Sequence, residues 1–509
     1  MRIKEGYKSL FVKNTLLSMA YQIISILSAF FLLPYMIWRL GDEVYGLWMI
    51  LKIFSIGGYL SLAGIGFEGS IVRYLTKFHV EENAEEFKKL FFSGFTLFLA
   101  IGALCCLAVL VFNKYLFLSA FDIADTHASE MQSCLVIYAC ALLYQFPALA
   151  LKAYYTSIQD FFRLKLWETL NVVLFFLLIV TIMFFDNNLL TIVCVETAVY
   201  FILFVIFLCL PVGDGKKFYS LSVQYFSLKS LKNVSGMTYY LFFNKISGIV
   251  YNKTPQIIIG CFLTSNFMTY YAIISRVPRA IKALQGMINA AVLPVAVSFE
   301  TLNYRDKMKT LFLRGTRYSF LFLTPIVVFM VIYAEDFLRL WIGRDYTFLA
   351  PLFRGYVIWQ YVTLLVAFGS SMYTKKEHFK KLLPYTILAN IIFLCSSIML
   401  VKRLELWSIL IGLLLSGFIG INIKIKLIHK INGFSFRAFF DYILKVPVIY
   451  GLLFCAAILL LLKAYAPFDH IFWLIIYAVV MYVSYMVFVY RFGLFDFEKR
   501  EISTLRQKR

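Results

Sequence analysis

Residues 33–48 read LPYMIWRLGDEVYGLW. Three charged residues (Arg39, Asp42, Glu43) interrupt an otherwise apolar stretch, with Gly41 among them placed to make a turn. Apolar runs lie on either side, at 14–37 and 44–67. Each is long enough to cross a bilayer, which takes about 20 predominantly apolar residues. The stretch therefore reads as a hairpin joining two membrane-spanning helices. Trp38, Tyr45 and Trp48 are expected at the depth of an aromatic belt.

Moving outward, the same alternation repeats. Further apolar runs occupy 90–112, 131–151, 167–185, 189–211, 237–262, 267–298, 318–334, 351–372, 383–401, 406–423, 446–462 and 471–490, making fourteen expected spans. The eighth is too long for a straight crossing, and Pro278 and Pro294 are expected to kink it. The composition agrees: 61% of the 509 residues are hydrophobic, 18% are aromatic, and the mean hydropathy is +0.80. A soluble core cannot absorb so much apolar surface. Helix-length runs also exclude a barrel of ten-residue alternating strands.

The net charge of +21 is spread over short loops rather than gathered into a patch, which argues against nucleic acid as a partner. Loops on the N-terminal side of the membrane hold 35 of the 49 Lys and Arg, the opposite loops hold 7, and 7 fall within spans. Lysine and arginine are retained on the cytoplasmic side, so both termini are expected there. Residues 1–13 are basic, but the following run is span-length without a small-residue cleavage site, so no cleaved leader is expected. All nine cysteines lie in apolar runs and the five histidines are scattered, which points to neither a disulfide framework nor a metal site. No loop exceeds about 25 residues, leaving no room for a soluble catalytic domain. The chain is not expected to be an enzyme.

Internal similarity points to a duplication. EEFKKLFFSG (85–94) and DKMKTLFLRG (306–315) are offset by 221 residues, as are FNKYLF (112–117) and YAEDFL (333–338). LGDEVYG (40–46) faces LTSNFMTY (263–270) at an offset of about 223. Two six-span bundles entering from the same side imply a pseudo-two-fold axis along the membrane normal, with a cavity between them. The expected division is an N-lobe at 1–226, a C-lobe at 227–430, and an added pair of spans with a basic tail at 431–509.

GIGFEG (64–69) matches the dinucleotide fingerprint by letter, but that motif needs a preceding strand in a βαβ unit. Here it falls at the end of an expected transmembrane helix, where glycines serve close helix packing.

Leu40-Gly41 with Tyr45-Gly46 and Trp48, then GYLSLAGIGFEGSIVRYL (58–75) and DFLRLWIG (336–343), resemble the polysaccharide biosynthesis family. These are bacterial flippases for lipid-linked oligosaccharides such as O-antigen units, in the same superfamily as multidrug-and-toxin exporters. The resemblance covers roughly residues 8–430 and is strongest over the first 95. It implies an all-α, MATE-like fold whose two lobes alternate between inward- and outward-open states in the bacterial inner membrane. It implies as cargo an undecaprenyl-pyrophosphate-linked oligosaccharide, with the polysaccharide polymerase and chain-length machinery as further partners. The last two spans depart from the commoner twelve, although some related flippases, including the lipid II type, have fourteen.

Charges inside spans describe the expected binding surface. Lys52, Lys245, Lys253, Arg276, Arg279 and Lys282 are cations in apolar runs, each costing about 2.5–3.5 kcal/mol on insertion scales. Acids in or near spans are few: Glu68, Glu168 and Glu196. A polyanionic lipid pyrophosphate suits the cations, since arginine forks onto phosphate oxygens and lysine supplies a point charge. The alternative account is that they snorkel, line an interface or pair with helix carbonyls, and Lys253, Arg276 and Arg279, which lie deeper, favour the binding role. Glu168 and Glu196 could couple a proton or sodium gradient, or serve as structural partners. No cofactor is expected. Rival readings are a lipid II flippase of the same fold, a multidrug antiporter, and a membrane-embedded glycan polymerase or glycosyltransferase. The antiporter would want acids in the cavity, yet span 1 has none.

Overall fold

The computed structural model describes residues 2–64, 67–210, 221–302, 304–372, 376–432, 439–465 and 471–493. Among these residues all regular structure is helical. The chain runs α1 (Arg2–Leu51), two 3-10 turns (Lys52–Phe54 and Tyr59–Gly64), α2 (Phe67–Val80), α3 (Ala84–Tyr115), α4 (Phe117–Ala120), α5 (Asp125–Ser157), α6 (Phe161–Ile182), α7 (Leu189–Cys209) and α8 (Leu228–Phe262). It continues with α9 (Ser265–Thr301), α10 (Arg305–Ile332), α11 (Ala334–Trp341), α12 (Ala350–Met372), α13 (Lys376–Leu404) and α14 (Leu406–Asn432). A π-helical stretch (Phe440–Tyr450) leads into α15 (Gly451–Tyr465), and α16 (Ile471–Phe488) ends in a second one (Val489–Gly493). Ten helices among the described residues are long and apolar enough to cross a membrane. One of these candidates, Lys13–Gly64, holds the first expected span and nearly all of the second.

Polar side chains mark where helices start. Asn83 accepts from Glu86 N at 3.1 Å to cap α3, and Asp160 accepts from Arg163 N at 3.1 Å to cap α6. Asn188 caps α7 through Leu190 N at 2.8 Å, and Glu130 adds an acceptor 3.0 Å from Leu189 N. Each takes up a backbone donor that no helix turn can satisfy. Between the ends, apolar faces look outward: Leu104, Leu107 and Val111 stay exposed along one side of α3, as side chains facing lipid would.

Contacts divide the chain into two compact units, Met1–Ile273 with Leu394–Ile409, and Ile274–Phe393 with Leu410–Arg509. In the first, α5 is the central element and packs on α2, α3 and α7, while α1 packs on α6. Tyr35 Oη donates to Val180 O at 2.9 Å and Arg39 to Met183 O, fastening α1 to α6. In the second unit, α10 packs on α12, α15, α16 and the first π-helical stretch, and Tyr333 Oη donates to Leu459 O at 2.7 Å. Glycine allows α12 and α14 to approach closely: a Cβ on Gly355 would stand 2.5 Å from Leu410, and one on Gly417 only 1.7 Å from Trp359.

A kink in α1 falls where the sequence places the opening hairpin. Gly41 alone leaves helical geometry inside α1, at φ 75° and ψ 172°, a conformation that costs glycine little. Nearby, the duplicated segments 40–46 and 263–270 meet. Thr269 Oγ1 donates to Asp42 O at 2.6 Å, and a Cβ on Gly46 would stand 1.9 Å from Ser265 O. Asp42 and Ser265 are 223 residues apart, as are Gly46 and Thr269. The first member of one equivalent pair thus touches the second member of the other, and the reverse. Such an exchange is the signature of a two-fold contact.

The second span differs from its expectation. Residues 44–67 read as one helix, but α1 ends at Leu51, the chain continues in 3-10 turns at Lys52–Phe54 and Tyr59–Gly64, and α2 starts at Phe67. Gly58 permits the break: a Cβ on it would lie 2.3 Å from both Lys52 O and Ile53 O, so the chain folds tightly onto its own carbonyls there. Tyr45 and Trp48 differ as well. They are buried within the first unit, with Trp48 stacked on Phe175, and only Trp38, 73% exposed, fits an aromatic belt. The backbone of α9 is helical through both Pro278 and Pro294.

Candidate functional site

The broken second span sets Lys52 against Glu196. Lys52 occupies the residue where α1 gives way to the first 3-10 turn. Its ammonium pairs with Glu196 Oε1 on α7 and lies 5.2 Å from the centre of the Trp48 ring. Glu196 Oε2 accepts from Tyr138 Oη on α5 at 2.7 Å, and Tyr138 is buried. Glutamate, lysine and tyrosine thus form one network linking α7, the break and α5.

Two further side chains hold the unwound backbone. Lys253 Nζ on α8 donates to Gly57 O at 2.6 Å, and Gln145 Oε1 on α5 accepts from Ile56 N at 3.3 Å. Backbone outside a helix at membrane depth needs such partners, since lipid offers none. Lys253 therefore has the carbonyl role that the sequence left open beside cargo binding. The Lys245 side chain lies outside the described residues.

Glu168 stands in a separate cluster at the start of α6. It accepts from Lys165 at 2.7 Å and lies 3.9 Å from Lys152 on α5. Lys152 in turn sits 5.4 Å from the Trp167 ring centre and 5.9 Å from that of Tyr200, and Lys165 lies 5.0 Å from Tyr21. Sequence reasoning missed Lys152 because the apolar run ends at residue 151, whereas α5 continues to Ser157. Without the run as a guide, Lys152 counted as a loop residue.

The second unit carries the arginine pair. Arg276 and Arg279 lie one helical turn apart on α9, followed by Lys282 a turn later. Arg279 and Lys282 are exposed, and Arg276 is half-buried. Lys282 feels the positive charges of both Arg279 and Lys424 on α14. Lys424 is a second cation that the sequence assigned to a loop, because α14 outruns its apolar segment to reach Asn432. Arg317, fully buried beside the Tyr442 ring at 4.8 Å, is a third. Arg354 donates to Glu335 at 2.9 Å and to Val331 O at 3.0 Å.

The helical fold that positions these charges has counterparts among solved structures. An inward-facing multidrug resistance MATE family transporter of the MOP superfamily matches with a TM-score of 0.65 at 14% identity, covering 82% of this chain and 95% of that one. The lipid II flippase MurJ, in an inward closed conformation, matches with a TM-score of 0.63 at 14% identity, covering 94% and 99%. The MATE multidrug transporter DinF-BH in complex with R6G matches at 0.60 and 14%, covering 84% and 97%. The protein is thus a polytopic, all-helical membrane protein with the MATE-like fold. No curated protein gives a significant match. The chain belongs to the polysaccharide biosynthesis protein family, which matches residues 81–351, more than half its length. That match begins beyond the hairpin motifs at 40–48 that carry much of the resemblance.

Proposed function

We propose that the protein is a flippase that moves an undecaprenyl-pyrophosphate-linked oligosaccharide, an O-antigen or capsular repeat unit, from the inner to the outer leaflet of the bacterial cytoplasmic membrane. It works by alternating access, with both termini in the cytoplasm. The observation that carries the reading is the cation cluster of α9 and α14 in a member of a polysaccharide biosynthesis family. Lys282 lies within reach of the positive charges of Arg279 and Lys424, and such a group favours a multivalent anion over a neutral or cationic drug. Each charge-assisted contact contributes about 1.5–3 kcal/mol. The lobe division at 1–226 and 227–430, with 431–509 added, belongs to this reading, as does passage of the cargo to a polymerase outside.

A lipid II cargo is the second reading. Its support is coverage: the lipid II flippase spans 94% of the chain where the multidrug transporters span 82% and 84%. Both cargoes present the same lipid pyrophosphate, so the cation cluster serves either. The test is reconstitution. Proteoliposomes loaded with undecaprenyl-pyrophosphate oligosaccharide should expose inner-leaflet glycan to an external lectin only when the protein is present. Inserted, folded protein that leaves the glycan sequestered would defeat the proposal, and selective movement of lipid II would favour the second reading.

A further inference from the structure

The Lys52–Glu196 pair has one anchored member and one tethered member. Glu196 stands within α7, and its second oxygen is held by the buried Tyr138. Lys52 hangs on a flexible four-carbon stem from the residue where helical backbone ends. The pair is open to its surroundings, with side chains 30% and 21% exposed. The Trp48 ring beside the ammonium offers a second resting place for the charge.

We propose that Glu196 is an internal substitute for the cargo's anion: its carboxylate holds Lys52 while the first unit is empty, and the cargo's pyrophosphate displaces it. This rests on the lipid-pyrophosphate reading above and concerns the first unit alone, the cations of α9 and α14 meeting the same group at another stage of transport. A lone lysine in the membrane interior is costly, so an empty transporter needs a counter-charge for it. A carboxylate supplies one negative charge and two acceptor oxygens, whereas a pyrophosphate supplies more of both. The ammonium therefore transfers to the cargo, while Tyr138 remains on Glu196 and keeps the released carboxylate partly satisfied. Binding strength is set by this competition, not by Lys52 alone.

Competition makes opposite predictions for Glu196 and for the tyrosine that holds it. Glu196→Gln removes the competitor and should tighten binding about tenfold, a typical single-charge effect. Tyr138→Phe leaves the carboxylate charged but deprives it of a donor, so it grips Lys52 harder, and binding should weaken about three- to tenfold. In a Lys52→Gln background the Tyr138→Phe effect should vanish. Simple repulsion between Glu196 and the cargo predicts the first result but no change for Tyr138→Phe.

The experiment measures undecaprenyl pyrophosphate binding to full-length protein in lipid nanodiscs, with uncharged undecaprenol as the control. Size-exclusion profile and melting temperature are recorded for each variant, and opposite signs in two variants cannot both come from misfolding. If the wild type prefers undecaprenyl pyrophosphate but Glu196→Gln fails to tighten binding, or Tyr138→Phe fails to weaken it, the exchange is wrong and the cargo reading stands. If the wild type binds both lipids equally, the cargo reading fails and the exchange fails with it.

Discussion

The contact between the duplicated segments 40–46 and 263–270 can be tested with a single methyl group. In Gly46→Ala the new Cβ would stand 1.9 Å from Ser265 O and 2.6 Å from Ser265 C, both backbone atoms that cannot rotate aside. Restoring even a tight contact requires the two segments to part by about 1 Å, since well-packed cores leave no slack. Such a movement also stretches the Thr269 Oγ1 to Asp42 O hydrogen bond, now 2.6 Å, beyond useful length. Overpacking costs about 1–3 kcal/mol and the lost hydrogen bond about 1 kcal/mol more. Against this, alanine gains up to about 1 kcal/mol over glycine within a helix. A net loss of about 1–3 kcal/mol is therefore expected, read as a fall in melting temperature of purified protein in detergent. The double variant Gly46→Ala/Thr269→Val should melt with Gly46→Ala alone, because the methyl has already broken the hydrogen bond. A Gly46→Ala protein as stable as wild type, or strictly additive losses, would refute the packed two-fold contact.

Other expectations follow from the charges. Lys253→Met should destabilise the protein by about 1–3 kcal/mol by leaving Gly57 O without its donor, whereas Lys253→Arg should recover part of the loss. Glycan export should fall for Arg276→Lys, which keeps charge but loses the fork, and should cease for Arg276→Glu or Arg279→Glu at normal membrane levels. Normal export by both reversals would make these arginines structural. Single cysteines replacing Ser220 and Lys376 should react with an impermeant thiol reagent only after lysis, and one replacing Asp125 should react in cells with a permeable outer envelope. External labelling of position 220 would reverse the orientation.

Much of the fold was legible because hydropathy and helix length are two views of one constraint. The span at 189–211 became α7 at Leu189–Cys209, and the hairpin glycine became the one non-helical residue in α1. Hydropathy does not register backbone geometry, which is why the break after Leu51 went unseen: Gly57 and Gly58 are as apolar in a turn as in a helix. The site was legible in part. Lys52, Glu196 and Glu168 stood out as charges in apolar runs, but their pairing depends on which helices are neighbours, which periodicity does not encode. Lys152, Arg317 and Lys424 were hidden because α5, α10 and α14 extend past their apolar segments by one turn or more. Composition was also silent on depth for Tyr45 and Trp48, since an aromatic side chain suits a bundle interior as well as a membrane interface.

The central claim is that this protein carries a lipid-linked glycan across the membrane, and the most direct measurement is the side on which that glycan resides when the protein is withdrawn. Cells depleted of the protein should accumulate undecaprenyl-pyrophosphate-linked oligosaccharide that is shielded from a lectin in spheroplasts and accessible in inverted membrane vesicles. Restoring the wild-type chain should return it to the outer face. Glycan that stays accessible on the outer face throughout depletion, with no inner-leaflet build-up, would contradict the account.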